Sequence, residues 1–235
     1  MTTVDRWQLP DGVEEVLPAR AAAVEQLRRQ LLDLYRSWGY QLVIPPLMEF
    51  TESLLIGLGA DIDLLTFKVT DQLTGRTLGI RADITPQVAR IDAHSLAEEG
   101  VTRLCYAGST LHTRPKSLLA SRSPIQLGAE LYGDNSLAAD VEIIRLMLET
   151  LTTAGLHTLS LDLGHTGVYE AVLAAVNLNK SQETIVFDAL QRKSLPDLEL
   201  ALVEVPADEA ALITALATLH GGKQVLVDAR ALFAD

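Results

Sequence analysis

Cysteine is almost missing from this 235-residue chain. Cys105 stands alone, which excludes an internal disulfide and the small, bridge-stapled folds that depend on one. Its neighbours Leu104, Tyr106 and Ala107 give it the setting of a small buried hydrophobe. Cations are also scarce: 19 Lys and Arg stand against 31 Asp and Glu, for a formal charge of −12. That balance argues against a broad phosphate-binding surface, so no nucleic-acid partner is expected. No stretch approaches the roughly 18 consecutive apolar residues of a membrane span. Residues Met1 to Arg6 contain no basic region leading into an apolar one, so no secretion signal is read. There is no Gly-rich phosphate loop, no zinc-like Cys/His spacing and no internal repeat. The expectation is a cytoplasmic protein with no metal and no cofactor.

What is present is ample apolar material, 48% of the chain, enough for one sizeable core or a core plus a smaller unit. The organising stretch is Ile125-Gln126-Leu127-Gly128-Ala129-Glu130-Leu131-Tyr132-Gly133. As a strand it alternates faces. Leu127, Ala129 and Leu131 make an apolar face for a core. Gln126, Gly128 and Glu130 make a polar one, in which an amide and a carboxylate flank a residue without a side chain. A gap with polar walls suits a small ligand bearing an ammonium group, which Glu130 and Gln126 can accept. An ordinary exposed polar strand face has the same pattern.

Before that stretch, Val24, Leu27, Leu31, Leu34, Tyr35 and Trp38 recur at helical spacing from Pro18, and Gly39 supplies a C-terminal stop. Tyr40 to Ile44 reads as a short strand halted by Pro45-Pro46. Leu65 to Val69 and Thr77 to Ile80 read as a hairpin around Asp71 to Gly75. Arg81-Ala82-Asp83-Ile84-Thr85-Pro86 leads into a helix, with Thr85 as the expected N-cap. Asp83 therefore lies at a strand-to-helix turn, suited either to a cleft or to bonding nearby backbone. Thr102 to Ala107 and Thr110 to His112 read as strands. The loop after them gathers Arg114, Lys116 and Arg122, which could receive an anion or simply be solvated. Beyond the organising strand, Ser136 opens a helix to about Ala154, and Thr158 to Leu163 alternates like a strand. His165 follows with no catalytic partners in view, which favours a structural or interface role. From Tyr169 onward the pattern is mainly helical: Tyr169 to Val176, Ser181 to Arg192 and Ala207 to Leu219, then the apolar Val225 to Val227.

Taken together, residues 10 to 175 resemble the catalytic core of class II aminoacyl-tRNA synthetases of the histidyl type. Gly39-Tyr40 through Pro46 and Glu49 resemble that class's dimer-forming motif 1. Arg81-Ala82-Asp83-Ile84-Thr85-Pro86-Gln87 resembles the segment that holds the amino group of bound histidine. Tyr106-Ala107-Gly108 through Gly133 resembles motif 2 and its following strand. The resemblance implies an α+β fold, an antiparallel sheet flanked by helices. It would consist of an incomplete core over 1–175 and the start of a mainly helical insertion over 176–235. It also implies a histidine site at Asp83, Thr85, Gln126 and Glu130.

The departures carry as much as the matches. Motif 2 of a working synthetase carries Phe-Arg-x-Glu, whose arginine grips the α-phosphate of ATP. This chain has Leu111-His112-Thr113-Arg114. An imidazole lacks the permanent charge and rigid fork of a guanidinium. Removing one such electrostatic donor costs on the order of 3 kcal/mol of transition-state stabilisation. With an amino-acid pocket kept and an ATP seat dismantled, the chain resembles the regulatory-subunit family of short-form ATP phosphoribosyltransferase. That resemblance implies no catalysis by this chain, a dimer through the motif 1-like region and a small catalytic subunit as partner. It further implies histidine as the allosteric ligand, with activation and feedback control of the first step of histidine biosynthesis. Two alternatives remain open: a divergent histidyl-tRNA synthetase and a stand-alone amino-acid-binding module.

Overall fold

A computed structural model describes residues 7–56, 60–115, 117 and 120–233. The chain divides into two compact units, Met1–Leu159 and Ser160–Asp235. The first opens on helix α1 (Pro18–Ser37), whose proline sits at the first helical position. Gly39, with φ +88°, closes the helix in a left-handed turn. Its N–H donates to Arg36 O and that of Tyr40 donates to Tyr35 O, so the last carbonyls are satisfied in a Schellman arrangement.

Two small sheets follow. Strand β1 (Gln41–Leu42) is shorter than Tyr40 to Ile44 promised, because Pro45 and Pro46 supply no N–H to extend the ladder. β2 (Met48–Phe50) and the helical turn α2 (Thr51–Leu54) come next, followed by α3 (Ala60–Leu65). β3 (Phe67–Thr70) and β4 (Thr77–Ile80) form the expected hairpin, and β4 is the central strand of an antiparallel sheet ordered β2-β4-β3. The hairpin turn is tied by Asp71, whose carboxylate accepts from Leu73 N and Thr74 Oγ1.

Helix α4 (Thr85–Arg90) continues into a π-helical turn, Ile91–Leu96. Then β5 (Thr102–Ser109) pairs antiparallel with β6 (Ile125–Tyr132) and parallel with β1, in the order β1-β5-β6. Thr110 to His112 is not a strand. It continues the hairpin irregularly, through Thr110 N to Pro124 O and His112 N to Arg122 O, while Leu111 N turns away to Arg81 O. Helix α5 (Leu137–Thr153) starts where Ser136 predicts, its Oγ accepting from Ala139 N.

Alternation on β5 and β6 sorts two cores. Cys105 joins Tyr35, Tyr40 and Leu146, with Leu127 and Ala129 packed against them, as the apolar face of β6 requires. Leu104 and Tyr106 point the other way and join Ile84 and Val88 from the α4 side. Arg103 forks onto Glu142 of α5 at 2.7 and 2.8 Å, and Tyr40 donates to the same carboxylate.

The second unit is helical: α6 (Thr166–Ala175), α7 (Lys180–Gln191), α8 (Leu195–Ala201), α9 (Ala207–Thr218) and α10 (Gln224–Leu232). Its core contains Val172, Val176, Val186, Ala189, Leu198, Leu202 and Ile213. Because α6 buries Val172 in that core, the division falls at Leu159–Ser160 rather than after residue 175. His165 caps α6, its Nδ1 accepting from Gly167 N at 3.1 Å. Residues 158–163 form no strand, since none of the described residues offers them a neighbouring strand.

Candidate functional site

The polar face of β6 and the turn before α4 meet in one network. Gln126 reaches across with both ends of its amide. Oε1 accepts from Ile84 N at 3.0 Å, and Nε2 donates to Asp83 Oδ1 at 2.8 Å. Asp83 Oδ1 also accepts from Thr85 N at 3.0 Å. Asp83 thus serves the turn's own backbone as well as facing Gln126. Thr85 is the first residue of α4 rather than its cap. Its hydroxyl lies 3.0 Å from the Tyr106 hydroxyl, so it is drawn toward the sheet instead of back onto the helix.

Tyr106 is the member that sequence reasoning missed as a site residue. It pairs with Gly128 across the β5–β6 ladder and is only 3% exposed. Its hydroxyl donates to Glu130 Oε1 at 3.2 Å and accepts from Gln126 Nε2 at 3.3 Å. The room above Gly128 is therefore filled by the tyrosine. A methyl group there would sit 2.5 Å from Tyr106 Cζ and closer still to its oxygen. The expected open gap is a correction: the glycine makes way for a neighbouring side chain that links Thr85, Gln126 and Glu130. The available signal was the glycine itself, which in a strand marks close approach of another group.

The two carboxylates are shifted in opposite directions. Burial pushes Asp83 up, but hydrogen bonds from Gln126 and from the backbone of Thr85 and Ile84 outweigh it, leaving Asp83 below its ordinary value. Glu130 is raised, first by burial and further by the charge of Asp83, against the opposing pull of Thr85 and Tyr106. Asp83 is the better-stabilised anion of the pair, and Glu130 the carboxylate more disposed to hold a proton. Side by side, the two carboxylates offer hydrogen-bond acceptors to a donor-bearing ligand.

The motif 2-like loop is fastened to the same turn. His112 is 4% exposed, and its Nε2 lies 3.0 Å from Ala82 O, a carbonyl that can only accept, so Nε2 is the donor of that bond. Arg122 is occupied by backbone: Nε donates to His112 O and Nη1 to Asp11 O, both at 3.0 Å, with Phe67 beneath the guanidinium. Arg114 is exposed. Lys116 lies outside the described residues. Of the three loop cations, then, Arg122 has a structural occupation, and the anion reading rests on Arg114.

A supporting layer lies beneath. Arg81, 7% exposed, donates to Ser109 O and Pro45 O, both at 2.8 Å, joining the ends of β4 and β5 to the double-proline turn. Gln87, 1% exposed, donates to Pro46 O and Glu49 Oε1, and Arg90 forks onto the same Glu49 at 3.1 and 2.5 Å. Among the described residues no group of three or more His, Cys, Asp or Glu is placed to hold a metal ion, and no helix is long and apolar enough to cross a membrane.

Known proteins resemble the chain in sequence and in fold. The chain is 57% identical over 235 residues to an ATP phosphoribosyltransferase regulatory subunit of Azotobacter vinelandii, covering 100% of this chain and 60% of that protein. It is 56% identical over 234 residues to the protein of that name from Pseudomonas aeruginosa strain PAO1, covering 100% of this chain and 59% of that one. The chain thus spans about 60% of the length of these curated relatives. Among solved structures, a Bacillus halodurans protein described as an ATP phosphoribosyltransferase regulatory subunit/histidyl-tRNA synthetase superposes with a TM-score of 0.86 at 28% identity. That match covers 99% of this chain and 61% of that one. Apo histidyl-tRNA synthetase of Staphylococcus aureus shares the fold over 64% of this chain and 40% of its own, at a TM-score of 0.52 and 19% identity. The fold is thus the expected α+β, class II synthetase-like one. The sequence profile of histidyl-tRNA synthetase matches residues 12–235, and the chain belongs to that family.

Proposed function

We propose that this chain is the histidine-sensing part of a regulatory subunit of short-form ATP phosphoribosyltransferase, binding free histidine without activating it. The observation that carries this reading is His112. At the place where a synthetase needs a phosphate-gripping arginine, the chain puts an imidazole, buries it and spends it on Ala82 O. The amino-acid side of the site keeps a connected polar set in Asp83, Thr85, Gln126 and Glu130. The names of the regulatory-subunit relatives support the same assignment. They also support a small catalytic subunit as the partner, and a cytoplasmic location is part of the same proposal. The residues around β1 support self-association: Leu42, Ile44, Leu47 and Met48 are exposed apolar side chains beside a strand edge that pairs with no further strand among the described residues.

Histidine regulates only by binding one arrangement of the complex better than another. A preference of about 1–3 kcal/mol would change the catalytic subunit's behaviour roughly 5- to 150-fold. The test is calorimetric titration of histidine into the chain and into Glu130→Ala, beside histidine inhibition of the complex reconstituted with the catalytic subunit. Loss of both binding and inhibition in the variant is the expected result. Undiminished inhibition overturns the site, and robust histidine-dependent ATP–pyrophosphate exchange by the wild-type chain overturns the non-catalytic reading in favour of a synthetase.

A further inference from the structure

Residues 44–49 form a strap with two sides. On the inner side, three successive carbonyls are taken by the segment that carries the Asp83 turn. Pro45 O accepts from Arg81 Nη1 at 2.8 Å, Pro46 O from Gln87 Nε2 at 2.9 Å, and Leu47 O from the Arg81 backbone N–H at 3.1 Å. Glu49 completes the set, accepting from Gln87 Nε2 at 2.9 Å and holding the Arg90 fork. Arg81 lies two residues before Asp83, and Gln87 and Arg90 belong to α4, whose first residue is Thr85. Gln87 gives both amide protons to the strap while its buried Oε1 has no partner. An apolar side chain there would leave no oxygen unpaired, but it would also make no tie. On the outer side, Ile44, Leu47 and Met48 are exposed. The two prolines between, with φ fixed by their rings, stiffen the connection.

Beside the strap, a groove between α1 and β1 is lined by Arg28, Arg29, Asp33, Arg36, Gln41 and Leu42. Arg28 and Arg29 share Glu25, whereas Asp33 and Arg36, one helical turn apart, make no ion pair among the described residues. Apolar side chains beside unpaired charges of both signs make a self-complementary surface, and a second copy of this chain is the occupant it fits. A two-fold axis sets one patch against its own copy, acid facing base. We propose that histidine binding and self-association are linked through the strap, with Glu49 as the positioning residue that carries the linkage. This rests on the histidine site and the β1-edge association proposed above, and adds that occupancy of each changes the affinity of the other. A second copy pressing on Ile44, Leu47 and Met48 acts on the segment whose carbonyls hold the turn. A ligand drawing on Asp83 and Thr85 acts on the same segment from inside, and such linkage is reciprocal.

The experiment measures dimer dissociation by analytical ultracentrifugation with and without saturating histidine, and histidine affinity by calorimetry on either side of the dimer dissociation constant. In wild type, histidine affinity should differ about 5-fold or more between monomer and dimer. The dimer dissociation constant should then move by the square of that factor, about 25-fold, because a dimer carries two sites. Glu49→Gln keeps an acceptor for Gln87 but loses the ion pair to Arg90, and its monomer and dimer should bind histidine alike. Arg90→Gln breaks the pair from its more exposed end and should lose the factor too, so the claim is decided even where Glu49→Gln does not fold. Damage to packing alone would weaken monomer and dimer together and leave the factor intact. A factor that survives in both variants overturns the role of Glu49, and its absence from a wild type that both dimerises and binds overturns the linkage. A wild type that stays monomeric overturns the β1-edge reading instead, and one that does not bind histidine overturns the site; the linkage falls with either.

Discussion

Gly128→Ala is the smallest change that should disable the site, and its cost can be worked from the structure. The added methyl would lie 2.5 Å from Tyr106 Cζ and 3.1 Å from Cε1, well inside contact distance. Tyr106 is 3% exposed and backed by Ile84, Val88 and Leu104, so the ring has little room to retreat. Overpacking of this kind costs about 1–3 kcal/mol. A displaced ring also pulls its hydroxyl from Thr85, Gln126 and Glu130, and a typical net hydrogen bond contributes about 0.5–1.5 kcal/mol. These terms overlap, and a total of about 2–4 kcal/mol follows. At about 2–4 °C per kcal/mol for a chain of this size, the unit over 1–159 should melt about 5–15 °C lower. Circular dichroism melts and urea titrations would measure this, with histidine titration reporting the site. Gly164→Ala is the control. No atom lies within 4 Å of the added methyl and its φ is not positive, so stability should hold or rise by about 0.4–1 kcal/mol. The pair Gly128 and Tyr106 must also couple: Tyr106→Ala should cost less in the Gly128→Ala background than in wild type. Wild-type stability and binding in Gly128→Ala, or additive costs for the pair, would refute the claim that the tyrosine occupies the glycine's space.

Three further perturbations test the surroundings. Glu130 is raised above its unfolded value by burial, so its stability contribution is complete below the ordinary carboxylate range and is lost as pH rises through the folded value. Glu130→Gln should accordingly melt higher than wild type near pH 8, with the gap closing toward about pH 4; a gap constant with pH removes the titration from the explanation. Glu49→Ala strips acceptors from the buried Gln87 amide and from Arg90, and should cost about 2–3 kcal/mol in urea titrations, while an unchanged midpoint would mean that the network contributes nothing. Arg81→Lys replaces a fork by a point charge that cannot reach Ser109 O and Pro45 O together; about 2 kcal/mol of destabilisation is expected, and a neutral result would show the two carbonyls to be satisfied by other means.

The parts of this molecule legible in the sequence are those whose causes are local. Helix α1 with Gly39, the Ser136 cap, the β3–β4 hairpin and the two faces of β6 each follow from residues within a few positions of one another. Apart from the shortened β1, the misreadings turn on partners distant along the chain or missing from it. Thr85 has every local qualification for a cap, yet its hydroxyl goes to Tyr106, 21 residues away. Arg122 looks like a loose loop cation until Asp11 O is found beside it, 111 positions earlier. Thr158 to Leu163 alternates correctly for a strand, but alternation describes a strand's faces and says nothing about whether its edges find partners. The same limit explains Gly128. A missing side chain between two polar residues says that something must come close; it does not say whether that is a ligand or a neighbour. The register Tyr106↔Gly128 decides the matter, and register belongs to the pairing of two strands. Once the tyrosine is in that space, the space above the glycine is closed to any ligand, and Glu130 becomes the group whose surroundings must be read on every side.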